Sequence, residues 1–325
     1  MPDNRNRYTI IYAADRQFWV HAYVSIYSML ANNRDLSFDI RVLATEPDED
    51  FFDFAPRLHA IHPDFTLDWV KVEPGMMQGM TSQVSHIQST STYYRLLIGE
   101  ILEPELKRLL YIDCDTIIRG SIKELLDLDI DDVVLAAALE YGELSPNERL
   151  GMPPDAGYFN AGVLMINLER WRSEDIGRRC VEYIYEQGEK LLYNDQDALN
   201  AILVGRWKNF GQNWNYCVKR REFRGPKVEI MPDGYVLPEN PAIAHYNGPF
   251  KPWNGGSLHR YDRDYWKYRM KTPYADRWMS ARNRLALTNR VFDTRLYSVT
   301  TSFLRRSTVG HAALRRAKML IRTTS

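Results

Sequence analysis

The chain has 325 residues, 45% hydrophobic and 12% aromatic, enough to bury a sizeable core in one large α/β domain or two smaller ones. Its three cysteines, Cys114, Cys180 and Cys217, are widely spaced and form no CxxC pair, which argues against a disulfide scaffold and a zinc site and for a reducing compartment. Net charge is zero, but residues 282–325 hold ten Lys/Arg against one acid, Asp293, so a body of balance −9 carries a tail of +9.

In chain order, Tyr8 to Ala14 (YTIIYAA) reads as a buried strand with Asp15 at its end. Phe18 to Asn32 reads as a helix and Phe38 to Leu43 as a strand with alternation in FDIRVL. A helix is predicted over Asp48 to Leu58, a short strand over Phe65 to Val72, and a helix over Thr90 to Ile101. Leu109 to Ile112, Val133 to Leu139 and Tyr158 to Asn167 are continuous apolar strands; Glu169 to Leu192 and Asp195 to Leu203 read as helices. Strands alternating with helices imply a doubly wound, mostly parallel sheet. Residues 205 to 260, richer in Trp, Asn, Gly and Pro, read as irregular structure closing over a site. No run of about 18 apolar residues occurs, so no segment is predicted to span a membrane. The start, MPDNRNRYTIIYAAD, has no h-region of signal-peptide length, and the expected location is cytoplasmic.

The stretch LLYIDCDTII, Leu109 to Ile118, carries the most chemistry. A buried strand delivers Asp113 and Asp115 to its carboxyl end, where ligands of open α/β sheets bind. Two carboxylates at that spacing suit a hard divalent cation, Mg²⁺ or Mn²⁺, bridging to phosphate oxygens. The competing reading is an exposed turn or helix cap, which Asp-x-Asp also serves.

Other blocks join it in order: IIYAAD (Ile10 to Asp15), STYYRL (Ser91 to Leu96), YFNAGVLMINLERW (Tyr158 to Trp171), NDQDALN (Asn194 to Asn200) and HYNGPFKPW (His245 to Trp253). This ordered set, over roughly residues 8 to 255, resembles glycosyltransferase family 8, and within it the bacterial lipopolysaccharide galactosyl- and glucosyltransferases. The resemblance implies a GT-A fold, a nucleotide-sugar donor, Mn²⁺ (with Mg²⁺ possible) and retention of configuration. His245 would be the third metal ligand beside Asp113 and Asp115, against the alternative of a hydrogen-bonded core histidine. Lys251 would neutralise phosphate charge and Gly248 would let the backbone approach it, unless both form only an exposed turn. Ala13, Asp15 and Phe18 match the base pocket; Asp15 as a helix cap and Phe18 as core packing are the alternatives. Arg16 stands where the family often has an acid or amide. Arg95 falls at a donor-binding arginine or, otherwise, on a solvated helix face. Cys114, between the aspartates, belongs with the donor-binding residues.

Asn160 would present its amide to the donor sugar, or form a turn before the strand. Asp195 and Gln196 are the candidates for the reaction centre: Asp195 binding sugar hydroxyls, Gln196 stabilising an oxocarbenium-like centre through its carbonyl oxygen. NDQD read only as an acidic helix N-terminus accounts for the aspartates and leaves the glutamine unexplained. Glu140 stands where the family has Asp near the acceptor.

The tail from about residue 275, read as a segment separate from a 1–274 catalytic domain, includes HAALRRAKMLIR. Ala313, Leu314, Ala317, Leu320 and Ile321 fall on one helical face and Arg315, Lys318 and Arg322 on the other, as in an interfacial membrane anchor. A solvated or disordered tail is the alternative. The expected function is transfer of glucose or galactose from a UDP-hexose to a saccharide or glycolipid acceptor, peripheral on the inner face of the cytoplasmic membrane. A soluble protein or glycogen-type acceptor, and a non-catalytic scaffold, are the rivals. No nucleic acid is expected, since the body shows no nucleic-acid motif.

Overall fold

Strands whose side chains alternate between two buried faces build the centre of the molecule. The structure, a computed structural model, describes residues 7–77, 90–140, 147–217, 238–248, 251–254 and 261–275. The chain divides into two compact units, Met1–Pro252 with Ser257–Ala275, and Trp253–Gly256 with Asp276–Ser325. Of the second only Trp253 and Asn254 are described, so the amphipathic tail lies outside the described residues and the architecture is that of the first unit.

The strands are β1 Tyr8–Ala13, β2 Phe38–Ala44, β3 Phe65–Lys71, β4 Arg108–Ile112, β5 Thr116–Ile118, β6 Leu135–Leu139, β7 Phe159–Asn167, β8 Trp207–Asn209, β9 Tyr216–Cys217 and β10 Ile243–His245. Seven form one sheet in the order β3-β2-β1-β4-β7-β6-β8, and three short ones form a second, β5-β10-β9. On β1, Ile10 and Tyr12 enter one core cluster while Ile11 enters the other; on β4, Leu110 and Ile112 oppose Leu109 and Tyr111. That two-residue alternation explains why the runs are apolar throughout: both faces are covered. The Trp19–Asn32 helix packs Trp19, Tyr23, Ile26 and Met29 into one cluster, and the Ile176–Gln187 and Asn194–Ile202 helices pack Ile176, Cys180 and Leu199 into the other. Each such aliphatic side chain contributes roughly 1.5–3 kcal/mol by leaving water.

The sheet is mostly parallel, but β7 runs antiparallel to both β4 and β6. An apolar run reads alike in either direction, so its sense is not legible in the sequence. The reversal matters because it carries the amino end of β7, with Asn160 and Gly162, to the carboxyl end of β4, where Ile112 pairs with Val163. The register shift between Ala136 and Ala138 then sets Ala138 opposite Asn160, just before Glu140.

Two predicted helices are built differently. Thr90–Leu97 is a 3-10 helix, followed by one α turn, Ile98–Ile101. Three residues per turn puts Thr92 and Arg95 on one edge, and both bind Asp195. The long helix predicted from Glu169 breaks into Leu168–Ser173 and Ile176–Gln187 around Asp175, which has φ 52°. A Cβ at Gly177 would stand 2.1 Å from the Leu96 carbonyl oxygen, so glycine permits the second helix to lie against the 3-10 segment. No helix of the described residues is long and apolar enough to cross a membrane.

Candidate active site

Asp113 follows β4 and Asp115 precedes β5, so both sit on the turn between two strands. The turn is fastened by the Asp113 N–H on the Gly162 carbonyl (2.7 Å), by Thr116 Oγ1 on the Asp113 carbonyl (2.9 Å) and by the Cys114 thiol on the Ala13 carbonyl (3.1 Å). Pairing of β10 with β5 sets His245 opposite Thr116. Its Nε2 lies 3.2 Å from Asp115 Oδ1 and 3.8 Å from Asp113 Oδ2. One ligand atom from each of the three residues falls within 4.8 Å of the others.

The tautomer of His245 follows from its neighbours. The Gly162 backbone N–H donates to Asn160 Oδ1 (2.9 Å), so the group Asn215 turns to the same oxygen is its Nδ2, at 2.8 Å. Asn215 Oδ1 therefore faces His245 Nδ1 (2.9 Å) and accepts its proton. Nε2 then offers a lone pair towards the two carboxylates, as the imidazole of a metal site does. A Cβ at Gly162 would lie 2.2 Å from His245 Cε1 and 2.8 Å from Asp113 Oδ2, so the cradle exists because that residue is glycine.

Each carboxylate commits one oxygen to a protein cation and turns the other to His245. Asp113 Oδ1 accepts from Arg95 Nη2 (2.8 Å) and Tyr111 OH (3.0 Å); Asp115 Oδ2 is paired with Lys251 Nζ. Burial pushes the Asp113 carboxyl up, and Arg95 offsets only part of it. Burial acts on Asp115 as well, but the Lys251 cation outweighs it and holds that carboxyl well below the usual carboxylate range. The Cys114 thiol is pushed up by burial and then by Asp113, Asp115 and Asp15, and stays protonated. Two carboxylate oxygens and an imidazole nitrogen that converge in this way fit a divalent cation.

Asp195 and Gln196 open the Asn194–Ile202 helix behind Asn194, whose φ of 49° turns the chain sharply. Asp195 is buried, accepts from the Thr92 hydroxyl and pairs with Arg95 Nε at 2.9 Å. Burial raises its carboxyl, with Arg95 acting against that. Arg95 is 4% exposed, which removes the solvated-face reading; it lies over the Tyr111 ring and joins Asp113 to Asp195. Gln196 Oε1 accepts from the Ala161 N–H (3.0 Å) and from Asn160 Nδ2 (3.2 Å), which also donates to Glu140 Oε2 (2.8 Å). Asn160, Gln196 and Glu140 thus form one amide–carboxylate cluster, joined through Asn215 to His245.

At the edge of the site, Asp15 Oδ1 accepts from the N–H groups of Gln17 (2.8 Å) and Phe18 (3.1 Å), a capping turn. The Phe18 ring meets His21 edge-on at 5.6 Å, and Ala13 is buried. Gly248 has φ 81°, and among the described residues beyond its chain neighbours no atom lies within 4 Å of a Cβ built on it, so its glycine serves the backbone turn. Asn215, Thr92 and Tyr111 were missed by sequence reasoning. Gly162 carried a signal, a glycine inside an apolar strand; Asn215 carried none, since nothing local links it to a histidine thirty residues on.

Three comparisons place this arrangement. The family model "Glycosyl transferase family 8" matches residues 9–256. The chain is 32% identical over 215 residues to General stress protein A of Bacillus subtilis, covering 64% of this chain and 74% of that protein. It is 27% identical to the lipopolysaccharide 1,2-glucosyltransferase of Escherichia coli, over 78% of this chain and 75% of that one. It is 26% identical to the lipopolysaccharide 1,3-galactosyltransferase of Salmonella typhimurium, over 83% and 80%. Among solved structures, the galactosyltransferase LgtC in complex with donor and acceptor sugar analogs superposes with a TM-score of 0.71 at 27% identity, over 82% of this chain and 96% of that one. An active-site glutamine-to-glutamate mutant of LgtC gives 0.70 at 26%, with the same coverage. The fold is the GT-A arrangement that the motifs implied, and the chain belongs to glycosyl transferase family 8.

Proposed function

We propose that this protein is a divalent-cation-dependent retaining hexosyltransferase, moving glucose or galactose from a UDP-hexose to a saccharide acceptor in cell-surface glycan synthesis. The observation that carries the reading is the meeting of Asp113, Asp115 and His245 beside Asp195 and Gln196. The named activities of the E. coli and Salmonella relatives support a hexose and a lipopolysaccharide-type acceptor.

Asp113, Asp115 and His245 would hold the cation, Mn²⁺ with Mg²⁺ as the alternative. Bound there, it would supply Lewis acidity to the departing diphosphate. Lys251 adds a point charge to the same phosphates, and the Gly248 turn lets the backbone come close. Ala13, Asp15, Phe18 and Cys114 line the donor side. Arg95 fixes Asp113 relative to Asp195, and so the phosphate relative to the sugar. Asn160 and Asp195 orient the hexose. Gln196 is uncharged and a poor nucleophile, so it acts through its amide dipole, held before the reaction begins. The LgtC glutamine mutant is named an active-site mutant, which supports a reacting-centre role for a glutamine in this fold. Glu140 stands on the acceptor side. The released phosphate oxygen takes the acceptor's proton, so no separate base is required.

The basic tail would hold the enzyme on the inner face of the cytoplasmic membrane, each Lys or Arg contributing roughly 1 kcal/mol at an anionic surface. The test is the anomer formed first when UDP-α-hexose is hydrolysed, read by proton NMR before mutarotation. α-Hexose is expected; β-hexose would contradict retention.

A further inference from the structure

Gln196 is useful at a reaction centre only if its amide faces one way. Its two ends are similar in size and opposite in polarity, and a flip exchanges a negative end for a positive one. On one side the Ala161 backbone N–H meets Oε1 at 3.0 Å. On the other, Gln196 Nε2 lies 3.2 Å from the Tyr158 hydroxyl, which lies 2.7 Å from Asp197 Oδ1.

The chain of polarity is determined from its far end. Asp197 is fully buried and bound by Arg149 through two contacts, Nη1 to Oδ2 (2.9 Å) and Nη2 to Oδ1 (3.0 Å). The N–H groups of Leu192 (2.7 Å) and Tyr193 (2.9 Å) add to Oδ2. Arg149 and the two backbone N–H groups can only donate, so this carboxylate serves as the acceptor for every neighbour around it. The Tyr158 hydroxyl must therefore spend its single proton on Asp197. Burial first, and Asp197 next, push that hydroxyl far above the ordinary tyrosine range, so it keeps the proton. What remains to Gln196 is an oxygen lone pair, which takes an N–H and refuses a carbonyl. None of Arg149, Asp197 or Tyr158 touches Asp113, Asp115 or His245 through any contact the structure shows.

We propose that Arg149, Asp197 and Tyr158 are positioning residues that fix the amide of Gln196 with its nitrogen towards Tyr158 and its oxygen towards β7. The inference rests on the transferase reading above and deepens it. Asp197, the second aspartate of NDQD, thereby has a role distinct from Asp195: it binds Arg149 and Tyr158 where Asp195 binds Arg95 and Thr92, and it orients the neighbouring glutamine.

The test is a cycle of Tyr158→Phe and Gln196→Ala, read as UDP release from the UDP-hexose that the wild type hydrolyses, with Mn²⁺. Tyr158→Phe keeps the ring and its packing but removes the lone pair, so the amide is free to flip. It should lower kcat roughly tenfold and leave KM for the donor within about twofold, a loss of orientation rather than of binding. In the Gln196→Ala background the same change should cost nothing more, because no amide is left to orient. Wild-type kcat in Tyr158→Phe would overturn the proposal, and so would an equal loss in both backgrounds or a change confined to KM. If Tyr158→Phe does not fold, Arg149→Met, on the half-buried edge of the network, should show the same dependence on Gln196; additive losses there would also overturn it. A wild type that releases no UDP from any donor sinks the transferase reading itself, an outcome separate from full activity in the Tyr158 variant.

Discussion

Around Asp115 stand the groups of a charged site: the Lys251 cation on one oxygen and the His245 imidazole 3.2 Å from the other. Around Gln196 they are neutral: a backbone N–H, an asparagine amide and a tyrosine hydroxyl. On the proposed function the two regions would handle different parts of one substrate. A diphosphate brings charge, and the region that would receive it is built from charges arranged to take a cation. A sugar ring in transfer needs a dipole in a fixed direction, and that region is built from hydrogen bonds with one satisfiable orientation. Changes at the ionic end should act nearly all or none and depend on metal. Changes at the amide end should be graded and confined to turnover.

The largest effect is expected at the ionic end. Asp113→Ala or Asp115→Ala should reduce Mn²⁺-supported UDP release by about a thousandfold or more, with circular dichroism unchanged. Full activity in either variant would end the ionic account. At the amide end, Gln196→Ala should lower kcat by roughly a hundredfold while UDP affinity, read by calorimetry, stays within about twofold. A comparable loss of affinity would make Gln196 a binding group and blur the contrast. Asn215→Leu joins the two regions, since Asn215 bridges Asn160 and His245. It should raise the Mn²⁺ concentration for half-activation by roughly 10- to 100-fold, and an unchanged requirement would show that His245 needs no such partner.

A smaller effect concerns stability. The Asp113 carboxyl is raised in the folded chain, so the folded state holds its proton more tightly than the unfolded state does. Stability then falls as pH rises from the ordinary carboxylate range towards the raised value, and the deficit remains at pH 7. Asp115 has the opposite sign: its stabilising contribution is present above the ordinary range and lost as pH falls through its lowered value. With chelator at pH 7, Asp113→Asn should therefore unfold a few degrees higher than wild type; a lower Tm would show that Arg95 and Tyr111 compensate the charge fully. The smallest effect on turnover belongs to the tail. Deleting residues 282–325 should change UDP release by less than about twofold yet abolish sedimentation with anionic vesicles. Retained sedimentation would move the anchor to the body.

The runs that became β1, β4 and β7 are readable because strands covered on both faces admit no polar break. Asp113 and Asp115 are readable from the strand before them. His245 is not readable from spacing: it depends on the two- and three-residue strands β9 and β10, too short to carry a period, and entered only through the resemblance of its block. The direction of β7 is hidden for the opposite reason, since a uniformly apolar strand marks neither end. Asp197 was visible as an acid at a helix start, but its burial against Arg149 depends on two segments nearly fifty residues apart.

The most direct measurement is UDP release from UDP-glucose and UDP-galactose, without acceptor, in Mn²⁺ and in chelator. The account predicts slow release from one of them that stops on chelation and returns with Mn²⁺. Release that continues undiminished in chelator would contradict it, because the meeting of Asp113, Asp115 and His245 would then hold nothing the reaction needs.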